Sequence, residues 1–210
     1  MSLVTRRSSM TFFSDARDHY SHRVRMVLAE KSVTVDIVDI DPNRKPEELI
    51  EISPYNALPI LADRDLVLYE ANVIMEYLDE RFPHPPLLPV YPVQRALSRL
   101  WISRVEKEWS GKLDLLMTGK GRETVRTRAR DELRESIIGI APIFSEKAFF
   151  MNDEFTLVDC CVAPIFWRLK SVGISLSERS TRPLQNYMQM IFERESFRTS
   201  LTEAELEMQE

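Results

Sequence analysis

The sequence predicts an α/β unit followed by an all-helical domain, and three observations carry that prediction. Up to Glu80, short apolar runs that suit strands alternate with segments of helical period; after Pro92 the apolar residues recur only at helical spacing. Between the two lies Arg81-Phe82-Pro83-His84-Pro85-Pro86-Leu87-Leu88-Pro89-Val90-Tyr91-Pro92, five of whose twelve residues are proline. Each proline lacks an amide donor, fixes its own φ and pushes its predecessor toward extended geometry, so neither a helix nor a central strand runs through. The stretch is read as a stiff connector and a domain boundary, with Phe82, Leu87, Leu88, Val90 and Tyr91 packing onto a surface and His84 held between prolines. A rigid linker pinned to both domains is the plain account; a recognition surface is the sharper one.

Taken in order, Met10-Thr11-Phe12-Phe13 reads as a first strand, and Tyr20 to Lys31 as a helix with Val24, Val27 and Leu28 at helical spacing. Val33 to Ile37 alternates apolar with polar and reads as a second strand, broken by Asp41-Pro42-Asn43; Pro46 to Ile50 suits a short helical turn and Ser53 to Asn56 a loop. Pro59 sits inside the apolar run Ala57 to Leu61, where its missing donor points to a cleft or an edge, and a cis peptide before it is expected. Asp63-Arg64-Asp65 turns into Leu66 to Tyr69 as an antiparallel partner. Glu70 to Glu80 follows as a helix with Val73, Ile74, Tyr77 and Leu78 on one face.

Beyond the connector, Leu97, Leu100, Trp101, Val105, Trp109, Leu113 and Leu116 mark one long amphipathic helix ended by Gly119 and Gly121, its tryptophans suggesting burial between domains or against a second subunit. A second helix runs from about Glu123 to Ile140, with Pro142 breaking it near Ala141. Met151 to Glu154 reads as a turn. Thr156 with Asp159 three residues on caps an apolar helix through Leu169, and Leu184, Tyr187, Met188, Ile191 and Phe192 define another. Thr202 to Glu205 caps a short polar tail. The expected organisation is a flexible 1–9, an α/β domain over 10–82, the connector over 83–92 and an all-helical domain over 93–210.

With 44% apolar and 29% charged residues the chain suits an ordinary globular protein with a real core. A net charge of −5 argues against nonspecific binding of nucleic acid or an anionic membrane by the whole surface. No apolar run approaches the roughly 20 residues of a membrane span, and Arg6-Arg7 is followed by no apolar signal core, so a cytoplasmic location is expected. Cys160 and Cys161 are adjacent within a helical pattern and read as buried free thiols. His19, His22 and His84 have no ligand spacing that joins them into a metal site, and His22 is expected to cap a helix or face solvent.

Together the α/β half, Pro59 within Leu58-Pro59-Ile60-Leu61, an acidic Glu70 opening the next helix, and a helical half containing Thr156-Leu157-Val158-Asp159 resemble the cytosolic glutathione S-transferase fold, over nearly the whole chain. Its first half would then be thioredoxin-like. Within that superfamily Tyr20 to Arg25, Met75 to Pro86 and Leu201 to Glu205 resemble the stringent starvation protein A family, the middle motif being the specific one. The resemblance implies a homodimeric bacterial stress and starvation regulator that associates with RNA polymerase holoenzyme, through its sigma subunit, with promoter DNA reached through the polymerase complex. It also implies that Pro83, His84, Pro85, Pro86 and Tyr91 form the partner-binding surface.

The competing class is an active glutathione transferase or glutathione-dependent peroxidase. Such enzymes lower a thiol pKa with a hydroxyl, or attack with a cysteine, near the start of the first helix. By the resemblance that position falls on Asp18, an anion that would raise a neighbouring thiol's pKa. Ser14, Tyr20 and Ser21 are near enough to substitute, although each also suits a turn or cap. Ala71 follows Glu70 where transferases supply a serine hydroxyl. The expectation is therefore a non-catalytic protein without a cofactor, keeping a vestigial glutathione cleft around Asp18, Leu58, Pro59, Glu70 and Ala71. Arg122, Arg126, Arg130 and Arg134 recur every four residues as a basic ladder, either a binding stripe or, as interleaved acids favour, a solvated face.

Overall fold

Phe12 and Phe13 lie side by side in sequence yet enter two different cores, because successive side chains of a strand point to opposite faces. They belong to β1 (Met10–Ser14), an inner strand of a four-stranded sheet of order β2-β1-β3-β4. The computed structural model describes residues 10–47, 49, 53–176 and 179–209; the expected flexible segment 1–9 lies outside them. β2 (Asp36–Asp39) pairs parallel with β1, while β3 (Ile60–Asp63) and β4 (Leu66–Tyr69) follow antiparallel, with Phe12 opposite Leu61 and Leu61 opposite Leu68. Phe12 and Leu61 face α1 (His19–Glu30) and α2 (Ala71–Arg81) in the main core; Phe13, Ile60 and Ala62 meet Ile40 and Leu49 on the other face.

The second strand starts later than the alternation of Val33 to Ile37 predicts. Val33 and Val35 pack on the main core from the lead-in, and the ladder with Thr11 to Ser14 engages only 36–39. The turn expected at Pro46 is present in the Leu49 amide donating to the Pro46 carbonyl at 3.0 Å; Glu48 and Ile50 lie outside the described residues. Leu58-Pro59 is cis, and Pro59 immediately precedes β3. On α2, Ile74 and Leu78 are buried as expected, together with Met75, whereas Val73 is exposed.

The helical half begins with α3 (Pro92–Val105), continues through a π-helical turn at Glu106–Ser110 and ends with α4 (Gly111–Thr118), stopped by Gly119 in the left-handed region at φ 63°. The one long helix expected here is thus a rod with a π-helical turn, where wider turns shift the register of the buried face. Leu97 and Leu100 stay exposed, while Trp109, 2% exposed, is fully inside the chain and donates its Nε1 hydrogen to Ser136 Oγ at 2.8 Å. α5 (Glu123–Ile140) gives way to a 3-10 turn at Ala141–Ser145 that contains Pro142. α6 (Leu157–Arg168) forms the centre of the half, every residue but Trp167 buried, with a capping box between Thr156 and Asp159. Cys160 and Cys161 are free and buried on it, and burial pushes the Cys161 thiol up to about 12. α7 (Arg182–Glu193), α8 (Glu195–Ser200) and α9 (Glu203–Leu206) follow, with a 3-10 turn at Glu207–Gln209 last among the described residues; the apolar periodicity does not predict α8. Among the described residues no helix is long and apolar enough to cross a membrane.

Candidate functional site

The connector divides into an exposed stretch and an anchored one. Pro83, His84, Pro85 and Pro86 are exposed, as are Val90 and Tyr91, each 73% accessible; Leu87 and Leu88 are buried. Val90 and Tyr91 therefore do not pack onto the chain as expected. The anchor is polar. Lys31, at the C-terminal end of α1, donates from Nζ to Asp79 Oδ1 at 2.6 Å and also to the Pro85 carbonyl; the same Asp79 oxygen accepts the Leu87 amide at 2.8 Å. On the far side the Leu87 carbonyl accepts the Leu157 amide at 2.8 Å, tying the stretch to α6. The His84-Pro85 peptide is cis. The result is an imidazole and several proline rings displayed on a backbone held from both halves.

A cleft of about 250 Å³ lies between the halves, lined by Leu58, Pro59, Glu70, Ala71, Tyr20 and Glu106 among others. Asp18 is not part of its lining. It caps α1, accepting from the Ser21 amide at 2.6 Å and the Ser21 hydroxyl at 2.8 Å, and burial pushes its carboxyl up to about 6. The three candidate hydroxyls near the first helix are already engaged. Ser14 Oγ is buried and accepts from Arg25 at 2.6 Å; Ser21 Oγ donates to Asp18 and accepts the Asp15 amide at 3.0 Å. Tyr20 alone of them reaches the cleft, but its hydroxyl donates to Asp114 Oδ2 at 3.1 Å, and burial and the Asp114 charge push its pKa far up. A phenol committed to a carboxylate is a poor donor to a second anion. Glu70 holds φ 72°, a left-handed conformation that costs a non-glycine residue roughly 1–3 kcal/mol.

Sequence reasoning missed a buried charge cluster. The expected polar tail is an anchor: Glu205 is 0% exposed and its Oε1 accepts from Arg25 at 2.6 Å and from Arg168, while Oε2 accepts the Thr202 amide at 3.0 Å in a capping box. His22, expected to cap or face solvent, is also 0% exposed, between Ser200 Oγ at 3.0 Å and Arg168 at 3.1 Å; burial and the two guanidinium charges hold its pKa well below the usual value. The cluster seals α1, α6 and the C-terminal segment together. Its only sequence signal was the Thr202-to-Glu205 spacing. In the basic ladder, Arg126 donates to the Gly119 carbonyl, Arg130 to that of Val172 at 2.8 Å and Arg134 to that of Ser175 at 3.3 Å. Three of its four members thus clamp loops.

A thioredoxin-like sheet with its cis-proline at the cleft, joined to a helical domain centred on a capped, buried helix, defines the glutathione S-transferase class. The family model for the glutathione S-transferase N-terminal domain matches residues 14–86 and that for its C-terminal domain residues 100–195. A solved Tau-class glutathione S-transferase from mango superimposes with a TM-score of 0.83 at 22% identity, covering 97% of each chain, which speaks for the fold alone. A stringent starvation protein A homolog of Coxiella burnetii is 51% identical over 99% of this chain and 98% of its own length, and one of Pasteurella multocida 49% identical over 95% and 93%. The chain belongs to the stringent starvation protein A family.

Proposed function

We propose that this protein is a non-catalytic regulator that binds RNA polymerase holoenzyme, through the sigma subunit, with the surface of Pro83, His84, Pro85, Pro86 and Tyr91. One observation carries the reading: the exposed imidazole and rings sit on a backbone clamped by the Lys31–Asp79 pair and the Leu87 amide. A surface already held in one conformation loses little entropy when a partner docks, so its apolar area and one directional polar group count nearly in full toward affinity. The engaged hydroxyls of Ser14, Tyr20 and Ser21, with Ala71 in place of a ligand-binding serine, support a cleft without thiol chemistry. Exposed Val73, Val93, Leu97 and Leu100 on α2 and α3, helices bridged by Arg99 and Glu76 at 2.6 Å, support a homodimer through that face. Of the tryptophans expected to be buried between the domains or against a second subunit, Trp109 is enclosed by its own chain and Trp101 is partly exposed. Activity would be cytoplasmic, with promoter DNA met only through the polymerase.

The test is co-elution. Purified protein mixed with bacterial RNA polymerase should travel with holoenzyme in size-exclusion chromatography and not with core enzyme lacking sigma. Equal retention by core enzyme would remove sigma from the proposal, and no retention by either would reject it. Glutathione conjugation to a chlorinated aromatic substrate should stay at background; turnover that disappears in Tyr20→Phe would restore the transferase reading.

A further inference from the structure

The helical half holds a cavity of about 320 Å³ that shares no lining residue with the cleft between the halves. Its floor is apolar and largely aromatic. Phe166 and Trp167 come from the last turn of α6, Ile174 and Leu176 from the loop after it, and Met188 and Phe192 from α7. Phe166, Ile174 and Leu176 are buried in the main core, whereas Trp167, Met188 and Phe192 are half-buried. Trp167 and Phe192 meet edge to face at 4.9 Å, and the Trp167 Nε1 hydrogen is donated to the Glu205 carbonyl at 2.9 Å, so both rings are fixed. The rim is polar. Among the described residues that line the cavity, Lys170 carries the only charge. Its ammonium donates to the Gln209 carbonyl, and the Gln209 side-chain amide donates to the Trp167 carbonyl at 2.5 Å, so the turn at Glu207–Gln209 holds Lys170 at the mouth. That contact uses one ammonium hydrogen and leaves two, and Lys170 has no ion-pair partner among the described residues.

Sites for small molecules combine a mainly apolar, aromatic wall with a few polar groups that fix orientation, in a volume of roughly 300–1,000 Å³. This cavity has that composition and that size. An ammonium with uncommitted hydrogens at the rim selects an anion and repels a cation, while the floor selects what the anion is attached to. A ligand ring gains there by the apolar area it buries and by edge contacts with rings already fixed. We propose that the cavity binds a small amphipathic carboxylate, an aryl group on a short alkyl stem. The ring lies against Trp167, Met188 and Phe192, and the carboxylate accepts from Lys170. This site lies apart from the connector surface, and its occupancy depends neither on polymerase binding nor on chemistry in the cleft.

The test is calorimetric titration of the full chain at low ionic strength with ligands that share one stem and differ in the head: 4-phenylbutyrate, 4-phenyl-1-butanol and 4-phenylbutylamine. The carboxylate should bind saturably at one site, about tenfold tighter than the alcohol, the scale of a charge-assisted hydrogen bond, with the amine weakest. Lys170→Gln should bring the carboxylate down to the affinity of the alcohol. Lys107→Gln, which removes an exposed ammonium on the π-helical turn, should change the carboxylate's affinity less than about twofold, in keeping with a weak surface charge effect. Ser175→Trp, at an exposed rim position, should fill the mouth and abolish binding of carboxylate and alcohol alike. Tyr55→Ala, in the lining of the cleft, should leave both unchanged. Thermal melts establish that the variants are folded. No saturable binding of the carboxylate, equal affinity for the three heads, equal weakening by Lys170→Gln and Lys107→Gln, or sensitivity to Tyr55→Ala instead of Ser175→Trp would each overturn the proposal.

Discussion

Asp79→Ala removes the carboxylate on which the connector is hung. In the wild type its Oδ1 takes both the Lys31 ammonium and the Leu87 amide, and the Lys31 side chain is 0% exposed. Breaking a buried pair from one side costs roughly 3–5 kcal/mol, because the remaining charge stays desolvated. An orphaned buried amide adds roughly 1–3 kcal/mol. Two features reduce the sum: Lys31 keeps the Pro85 carbonyl, and Asp79 lies near the surface, its side chain 10% exposed, where water can enter. A loss of about 3 kcal/mol is therefore expected, which for a chain of this length lowers the melting temperature by roughly 6–12 °C. Circular dichroism melts of Asp79→Ala, Lys31→Met and the double variant test it. The double variant should be destabilised less than the sum of the singles by about 1.5 kcal/mol or more, the signature of direct coupling. A melting temperature within about 2 °C of wild type, or strict additivity, would refute the view that this pair fixes the connector.

Glu205→Gln should destabilise the protein by roughly 3–5 kcal/mol in urea denaturation, since Arg25 and Arg168 would be left buried without their counter-ion. Asp18→Asn keeps a capping oxygen but removes a carboxyl whose pKa burial raises to about 6. Folding favours the protonated form of that group, so its contribution is fully present below its ordinary value of 3.8 and is lost as pH rises through 6. The variant should accordingly gain roughly 1–3 kcal/mol on wild type between pH 4 and 7 in urea melts, and an unchanged difference would contradict the burial of Asp18. The buried histidines titrate in the opposite sense in both proteins and cancel in that comparison. Light scattering should give twice 24.6 kDa for wild type and a shift toward monomer for Leu100→Asp, which places a charge on the exposed apolar face of α3.

Local chemistry was the legible part of this fold. The Thr156–Asp159 box, the break at Pro142, the cis peptide at Pro59 and the hairpin about Arg64 each depend on residues within a few positions of one another, and each is present. The overall architecture followed from them. What the sequence hid depends on distance along the chain or on register. Glu205 meets Arg25 across 180 positions and Arg168 across 37, so a tail rich in acids looked solvated although its key carboxylate is enclosed. Of the apolar stripe that the periodicity marks, Val105, Trp109 and Leu113 are buried as expected, whereas Leu97 and Leu100 stay exposed at the other end of the rod, because a helical period shows that residues share a face and not what covers it. The second strand moved because parallel pairing with β1 chose its register over the alternation of Val33 and Val35. For the candidate sites, the prolines announced a fixed surface, but the Lys31–Asp79 anchor beneath it joins the residue that caps the end of α1 to one on α2, 48 positions apart, and left no motif.

The most direct test of the central claim is the affinity of RNA polymerase holoenzyme for a variant in which Pro83, His84 and Pro85 are all replaced by alanine, measured by biolayer interferometry beside wild type. These side chains are exposed, and the anchor takes from them only the Pro85 backbone carbonyl, which alanine also carries, so dimer mass and helical circular dichroism should be unchanged. The account predicts that holoenzyme binding falls by about a hundredfold or more, as loss of a hot spot worth about 2–4 kcal/mol requires. Wild-type affinity in a variant that is folded and dimeric would contradict it, and would reduce the proline stretch to a linker.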